Sequence, residues 1–117
     1  MLKIRPEQYE VLAKAQLERF LADAERHVRQ YWPAVAAELG DAGVRAMVEQ
    51  ASRRCDELGI DDEFDVLRYL NLTCALGPDF LATQPWAAPL LGDRERAPRD
   101  RMDEATRRAL GATERNA

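Results

Sequence analysis

The chain has 117 residues, of which 46% are hydrophobic and 32% charged, and its formal net charge is −4. This composition is typical of one globular domain that buries a modest core without disulfides or metal. Acidic and basic residues are interleaved along the sequence, which argues against a basic surface for nucleic acid.

The start of the chain and its longest apolar run bear on its compartment. The segment MLKIRPEQYE lacks the apolar core of a signal peptide, and residues 66–76 are too short a run to span a bilayer. We therefore expect a cytoplasmic protein that does not contact a membrane. In a reducing compartment Cys55 and Cys74 are expected to be small buried hydrophobes, with a disulfide or a reactive pair as the alternative.

The first predicted element is a long helix between two prolines. Pro6 suits a first helical turn, where its missing N–H costs nothing, and Pro33 forces Trp32 out of helical geometry. Apolar residues between them recur at spacings of three and four, which predicts one apolar helical face. The predicted face consists of Tyr9, Leu12, Ala13, Leu17, Phe20, Leu21, Ala24, Val28 and Tyr31.

Glycines and acidic residues delimit the next two elements. A short helix over residues 34–39 is predicted to end at Gly40, and Asp41 is placed to cap a helix that stops at Gly59. Acidic residues crowd positions 61–65, where the dipole of a new helix favours negative charge. A metal site is the alternative for this acidic cluster, but the sequence offers neither a set of coordinating partners nor a calcium-loop glycine.

The helix predicted over residues 62–76 is apolar around most of its circumference, which places it at the centre of the fold. We expect its core positions to be Phe64, Leu67, Leu70 and Cys74. Gly77 and Pro78 then end it.

A short helix is predicted to begin at Pro85 and run through Leu91. The apolar residues of this region, Phe80 and Trp86 among them, are expected to fold back as a lid over the bundle. The alternative is an exposed aromatic anchor for a partner protein.

Beyond Gly92 the composition becomes strongly charged, and Met102 and Leu110 are the large apolar residues that remain. Such a segment cannot offset its ordering entropy alone, so residues 93–117 are predicted to be a frayed helix or a disordered tail. A partner or a second copy of the chain could order it by offering a groove. The predicted fold is therefore all-α: a bundle of four to five helices over residues 1–92, with a long first helix, followed by this tail.

Catalytic patterns are missing from the sequence. His27 is the single histidine and lies beside the apolar face of the first helix, and no phosphate loop, Cys-x-x-Cys pair or metal-binding histidine pair occurs. We expect a protein that is not an enzyme and holds no metal or cofactor. A site built only from carboxylates is the remaining enzymatic alternative.

The order of segments resembles a known group of proteins. The segments IRPEQYEVL, YWP, GVRAMVEQASRRCDELGI, DVLRYLNLTCALGPDF and PWAAPLL follow one another over residues 2–91. This pattern, with LGPDF followed by PWA, resembles the small helical accessory proteins encoded beside type VI secretion effectors and their adaptor chaperones in proteobacteria.

The resemblance implies a co-adaptor or co-chaperone that binds an adaptor chaperone or effector and aids its stability or loading. An immunity protein that blocks a cognate toxin is the alternative, although the spread of acidic residues along the sequence argues against it. A homo-oligomer formed through the tail is a further expectation. The residues predicted to contact a partner are Trp32, Phe80, Trp86, Leu90, Leu91, Met102 and Leu110.

Overall fold

The computed structural model describes the backbone of residues 6–115 and the side chains of residue 11 and residues 13–111. Within that range every regular element is a helix, which confirms the all-α class. The helices are α1 (Pro6–Tyr31), α2 (Pro33–Glu57), α3 (Glu63–Leu76), α4 (Phe80–Thr83), α5 (Ala87–Leu91) and α6 (Pro98–Arg115). The chain divides into two compact units, residues 1–45 and residues 46–117.

In the first unit, α1 and the beginning of α2 form an antiparallel pair. Trp32 separates the two helices, at the break that Pro33 predicts. Nε of Arg45 donates to Oε1 of Glu25 over 3.0 Å, and Arg29 forms an ion pair with Asp41 at 3.4 Å. The two pairs advance in opposite directions along the two helices, which gives the antiparallel orientation.

The apolar face predicted for α1 is buried only in part. Ala24 and Val28 are buried, whereas Leu17 is 49% exposed and Tyr31 is 63% exposed. The side chains of Tyr9 and Leu12, which the prediction also placed on this face, lie outside the described residues. The sequence pattern therefore identifies two buried positions of α1 but not how far along the helix the face is buried.

Gly40 interrupts α2 where the sequence predicts a helix end. Its φ of 71° and ψ of 172° are not helical, so it separates the short first stretch of α2 from the longer second stretch. An L side chain rarely adopts this combination of angles, which explains the glycine.

The second unit is built around α3. Asp62 caps this helix, since its Oδ1 accepts from the backbone N–H groups of Phe64 at 2.9 Å and Asp65 at 3.4 Å. Tyr69 and Leu70 are 3% and 2% exposed, which agrees with a central helix. Leu67 and Cys74, two further predicted core positions, are half-buried. For Phe64 the prediction of a core position is wrong, because its side chain is 55% exposed in the first turn.

The stretch after α3 packs back on the unit. α4 contacts both α3 and α5. Phe80 is fully buried, with its ring 5.0 Å from that of Tyr69, so Phe80 lies in the core as the lid interpretation predicts. The short helix α5 begins at Ala87 rather than at Pro85, with Trp86 at its N-cap. α4 is an additional helix that the sequence reading did not include.

The charged C-terminal segment differs from its prediction as a frayed or disordered tail. Its residues from Pro98 to Arg115 form α6, which packs against α3 and α5. Met102 and Ala105 are fully buried, and residues 116–117 lie outside the described part. The groove that orders this segment is therefore formed by α3 and α5 of the same chain.

A buried arginine explains much of how α6 is held. Arg101 is 2% exposed, and its guanidinium donates to the backbone carbonyls of Leu58 at 3.0 Å, Arg96 at 3.2 Å and Leu91. Carbonyls at the ends of helices lack partners within their own helix. Arg101 donates hydrogen bonds to the segment that follows α2 and to the end of α5. It therefore joins both of these segments to α6.

Candidate functional site

The most distinctive surface of the described chain surrounds Phe64, at the start of α3. The guanidinium carbon of Arg68 lies 5.3 Å from the centre of the Phe64 ring, and that of Arg99 lies 5.1 Å from it. Both distances are within the range of a cation–π contact. We call Phe64, Arg68 and Arg99 the Phe64 surface.

Buried and capping carboxylates fix one of these two arginines. Nε of Arg99 donates to Oδ1 of Asp65 over 2.9 Å, and its NH2 donates to Oδ1 of Asp62 over 3.3 Å. The Asp65 side chain is only 3% exposed. The hydrogen bond from Arg99 to Asp65 is the largest cause that raises the pKa of Arg99 above its ordinary value. Arg99 therefore keeps its positive charge at neutral pH.

The second arginine is fixed between α3 and α6. NH2 of Arg68 donates to Oδ1 of Asp103 over 2.8 Å and to Oγ1 of Thr106 over 3.5 Å, while its NH1 lies 3.8 Å from Asp65. Arg68 follows Phe64 by four positions on α3, which is the spacing that brings side chains together on a helix. The Phe64 surface is thus assembled from two helices and held by ion pairs.

Acidic groups outnumber basic ones around Phe64. Asp61, Asp62 and Glu63 are exposed at the start of α3, and Asp65 and Asp103 join them through the arginine ion pairs. Three of these five carboxylates, those of Asp62, Asp65 and Asp103, form ion pairs with the two guanidinium groups. Most of this negative charge belongs to the acidic run that the sequence shows at positions 61–65.

The residues predicted from the sequence as partner contacts do not form one surface. Phe80, Leu91 and Met102 are fully buried in the second unit, so their side chains are not accessible to a partner. Their burial follows from the packing of α4, α5 and α6, which the sequence pattern did not reveal.

The other predicted contacts differ in exposure. Trp86 and Leu90 are half-buried, and Leu110 is 60% exposed on α6. Trp32 is half-buried in the first unit. The half-buried state of Trp86 leaves both of its predicted roles, lid and anchor, as predictions.

The other candidates for chemistry are His27, the two cysteines and one small recess. The centre of the His27 ring lies 4.9 Å from that of the Tyr31 ring, and the two rings are tilted by 46°. Cys55 and Cys74 are both free, and Cys55 is fully buried. A recess beside Met47, Arg54 and Tyr69 has a volume of about 10 Å³, which is room for roughly one water molecule. Among the described residues, no group of three or more His, Cys, Asp or Glu side chains is arranged to hold a metal ion.

Sequence reasoning missed the Phe64 surface because it assigned Phe64 to the core. Two local signals pointed elsewhere: Phe64 lies in the acidic first turn of its helix, and Arg68 follows it at a spacing of four. The contribution of Arg99 has no such signal, since it depends on the packing of α6 against α3.

Two further findings concern membrane-spanning helices and similarity to known proteins. Within the described range, no helix combines the length and the apolarity that crossing a membrane requires. Comparison with protein-family models, with curated proteins and with solved structures found no match.

Proposed function

We propose that this chain is a non-catalytic accessory protein that binds a protein partner through the Phe64 surface. The observation that carries this proposal is the 55% exposure of Phe64 between two guanidinium groups. Aromatic and arginine side chains are the residues that most often dominate binding energy at protein interfaces. The partner we propose is an adaptor chaperone or an effector of type VI secretion, in keeping with the sequence resemblance, and its binding aids stability or loading.

The rigidity of the surface supports a role in binding. The hydrogen bonds that Arg68 and Arg99 make with aspartates already restrict both side chains before any partner arrives. Less side-chain entropy is then lost on association, which favours affinity. Phe64 is fixed between them and presents an apolar surface to the solvent.

The charge around Phe64 favours one alternative function. Asp61, Asp62 and Glu63 are exposed at the start of α3 and would complement a basic cleft, as in an immunity protein that blocks a toxin. Binding dominated by these charges would weaken steeply with salt, whereas binding dominated by Phe64 would change little. The salt dependence of the dissociation constant therefore separates the two functions.

The experiment uses the full chain as bait in its native cell, followed by mass spectrometry of the captured protein and measurement of its dissociation constant. Phe64→Ala should weaken that binding about thirtyfold, which corresponds to about 2 kcal/mol. Tyr31→Ala is the matched control, because Tyr31 is also an aromatic residue and is similarly exposed, at 63%, but belongs to the first unit. We expect its binding to equal that of the wild-type protein.

Each result bears on a separate part of the proposal. Unchanged affinity in the Phe64→Ala variant would refute the Phe64 surface. Capture of a partner that is neither an adaptor nor an effector would refute the secretion role and leave the surface standing. Inhibition of a captured toxin's activity would identify the immunity alternative.

A further inference from the structure

The apolar face of α1 continues beyond the part of the helix that is covered. Leu17 precedes Ala24 by seven residues and Val28 by eleven, so all three lie on one side of the helix. Ala24 and Val28 are 1% and 0% exposed, whereas Leu17 is 49% exposed. The buried part of this side of α1 therefore ends between Leu17 and Ala24, at the half-buried Phe20 and Leu21.

We call Ala13, Leu17, Phe20 and Leu21 the open stripe of α1. These four residues are spaced by four, three and one, as on one face of a helix, and they change from exposed to half-buried along the chain. A second helix placed along this stripe would continue the packing that already buries Ala24 and Val28.

The charges beside the open stripe indicate which helix fits. Lys14 and Glu18 are both exposed, are four residues apart, and have opposite charges along the same edge of the stripe. In an antiparallel second copy, Lys14 of one molecule lies beside Glu18 of the other, and the reciprocal pair forms as well. In a parallel two-fold pair the same edge of the two helices lies on opposite sides of the interface, so these contacts between Lys14 and Glu18 of different copies would not form.

We propose that the chain self-associates through the open stripe, as an antiparallel pair of α1 helices related by a two-fold axis. The same residues contribute from both copies, as in any such symmetric interface. The stripe is short, so the pair is expected to be weak and to form in a concentration-dependent manner. This pairing does not involve the Phe64 surface and stands or falls independently of it.

The first test measures the mass of the full chain by sedimentation over a wide range of protein concentration. The wild-type protein should change from monomer to dimer as concentration increases. Leu17→Asp should weaken dimerisation at least tenfold, since it places a charge at the centre of the interface (about 1.4 kcal/mol or more). Ala15→Asp is the matched control, because it adds the same charge to an exposed position about 160° around the helix from Leu17.

Circular dichroism establishes that each variant keeps its helix content. A wild-type protein that stays monomeric at every concentration overturns the proposal. Equal dimerisation of the Leu17→Asp and wild-type proteins overturns it as well.

The second test exchanges the charges. The variants Lys14→Glu and Glu18→Lys should each dimerise less than the wild-type protein, because each places like charges together. Mixed in equal amounts, they should form a heterodimer, since one copy then carries two negative groups and the other two positive groups. A mixture that associates no better than its separate components overturns the antiparallel arrangement.

Discussion

Leu70 and Phe64 lie six residues apart on α3 in opposite environments, and this difference has a measurable consequence. Leu70 is 2% exposed and Phe64 is 55% exposed. Leu70→Ala should therefore reduce the free energy of unfolding by about 2 to 5 kcal/mol, the range for removing a buried leucine. Phe64→Ala should reduce it by about 1 kcal/mol, from the loss of cation–π contacts at an exposed position.

Urea unfolding of the two variants and the wild-type protein measures both quantities. A loss of less than about 1 kcal/mol for Leu70→Ala would show that α3 is not central, because a buried leucine cannot be truncated at so small a cost. A larger loss for Phe64→Ala than for Leu70→Ala would contradict the placement of both side chains.

Arg101 is the residue for which charge and geometry can be tested separately. Arg101→Lys keeps the positive charge, but one ammonium group cannot reproduce the planar fork that donates to the carbonyls of Leu58, Leu91 and Arg96. The buried carbonyl of Leu91, if left without a donor, costs about 1 to 3 kcal/mol. We expect the Arg101→Lys variant to be destabilised by at least about 1 kcal/mol in urea unfolding.

Arg96→Lys serves as the control for Arg101→Lys, since the Arg96 side chain is exposed. The free energy of unfolding of this control should equal that of the wild-type protein. If Arg101→Lys were equally stable, the carbonyl contacts of the guanidinium would contribute nothing to holding α6.

The elements of the fold differ in how well local sequence determines them. The end of α1 and the cap of α3 follow from Pro33 and Asp62, because each acts on the backbone beside it. The packing of α6 was not predictable in this way. Its buried arginine is satisfied by carbonyls far away in sequence, and composition alone counts that arginine as a solvated charge.

The Phe64 surface illustrates the same limit. Its α3 half has a local signal in the spacing of Phe64 and Arg68, but Arg99 is brought in by a contact between helices that are distant in sequence. The sequence therefore permits prediction of half of the candidate site. The other half depends on tertiary packing.

The packing of α6 leads to a prediction about the element as a whole. Because Met102 and Ala105 are fully buried, the backbone amides of residues 102–110 should be protected from hydrogen exchange in a dilute sample. Met102→Ala should lower the free energy of unfolding by about 2 to 5 kcal/mol. Leu110→Ala, at an exposed position of the same helix, should lower it by less than about 0.5 kcal/mol. Rapid exchange throughout α6 in the wild-type protein would show instead that the segment is a frayed tail.

At the scale of the whole molecule, burial in the second unit keeps two thiols and one tyrosine hydroxyl protonated to a higher pH than in an unfolded chain. Burial raises the pKa of the Cys55 thiol from 9.0 to about 12, and the charge of Asp65 adds to this effect. Burial raises the pKa of Cys74 from 9.0 to about 11. It also raises the pKa of Tyr69 above its ordinary value of 10.0.

These raised pKa values predict that stability decreases in alkaline solution. Above about pH 9 the unfolded chain loses thiol protons that the folded chain retains, so the folded state binds more protons and the free energy of unfolding decreases as pH rises. Between pH 8 and pH 10 the two thiols together should lower it by about 2 kcal/mol, measured by urea unfolding in the presence of a reductant. Cys55→Ala removes one of the two groups and should reduce this decrease by about half, whatever its effect on stability at pH 8.

A free energy of unfolding that stays constant from pH 8 to pH 10 would mean that the folded protein does not shield these thiols. A decrease of equal size in the Cys55→Ala variant would assign the pH dependence to other groups.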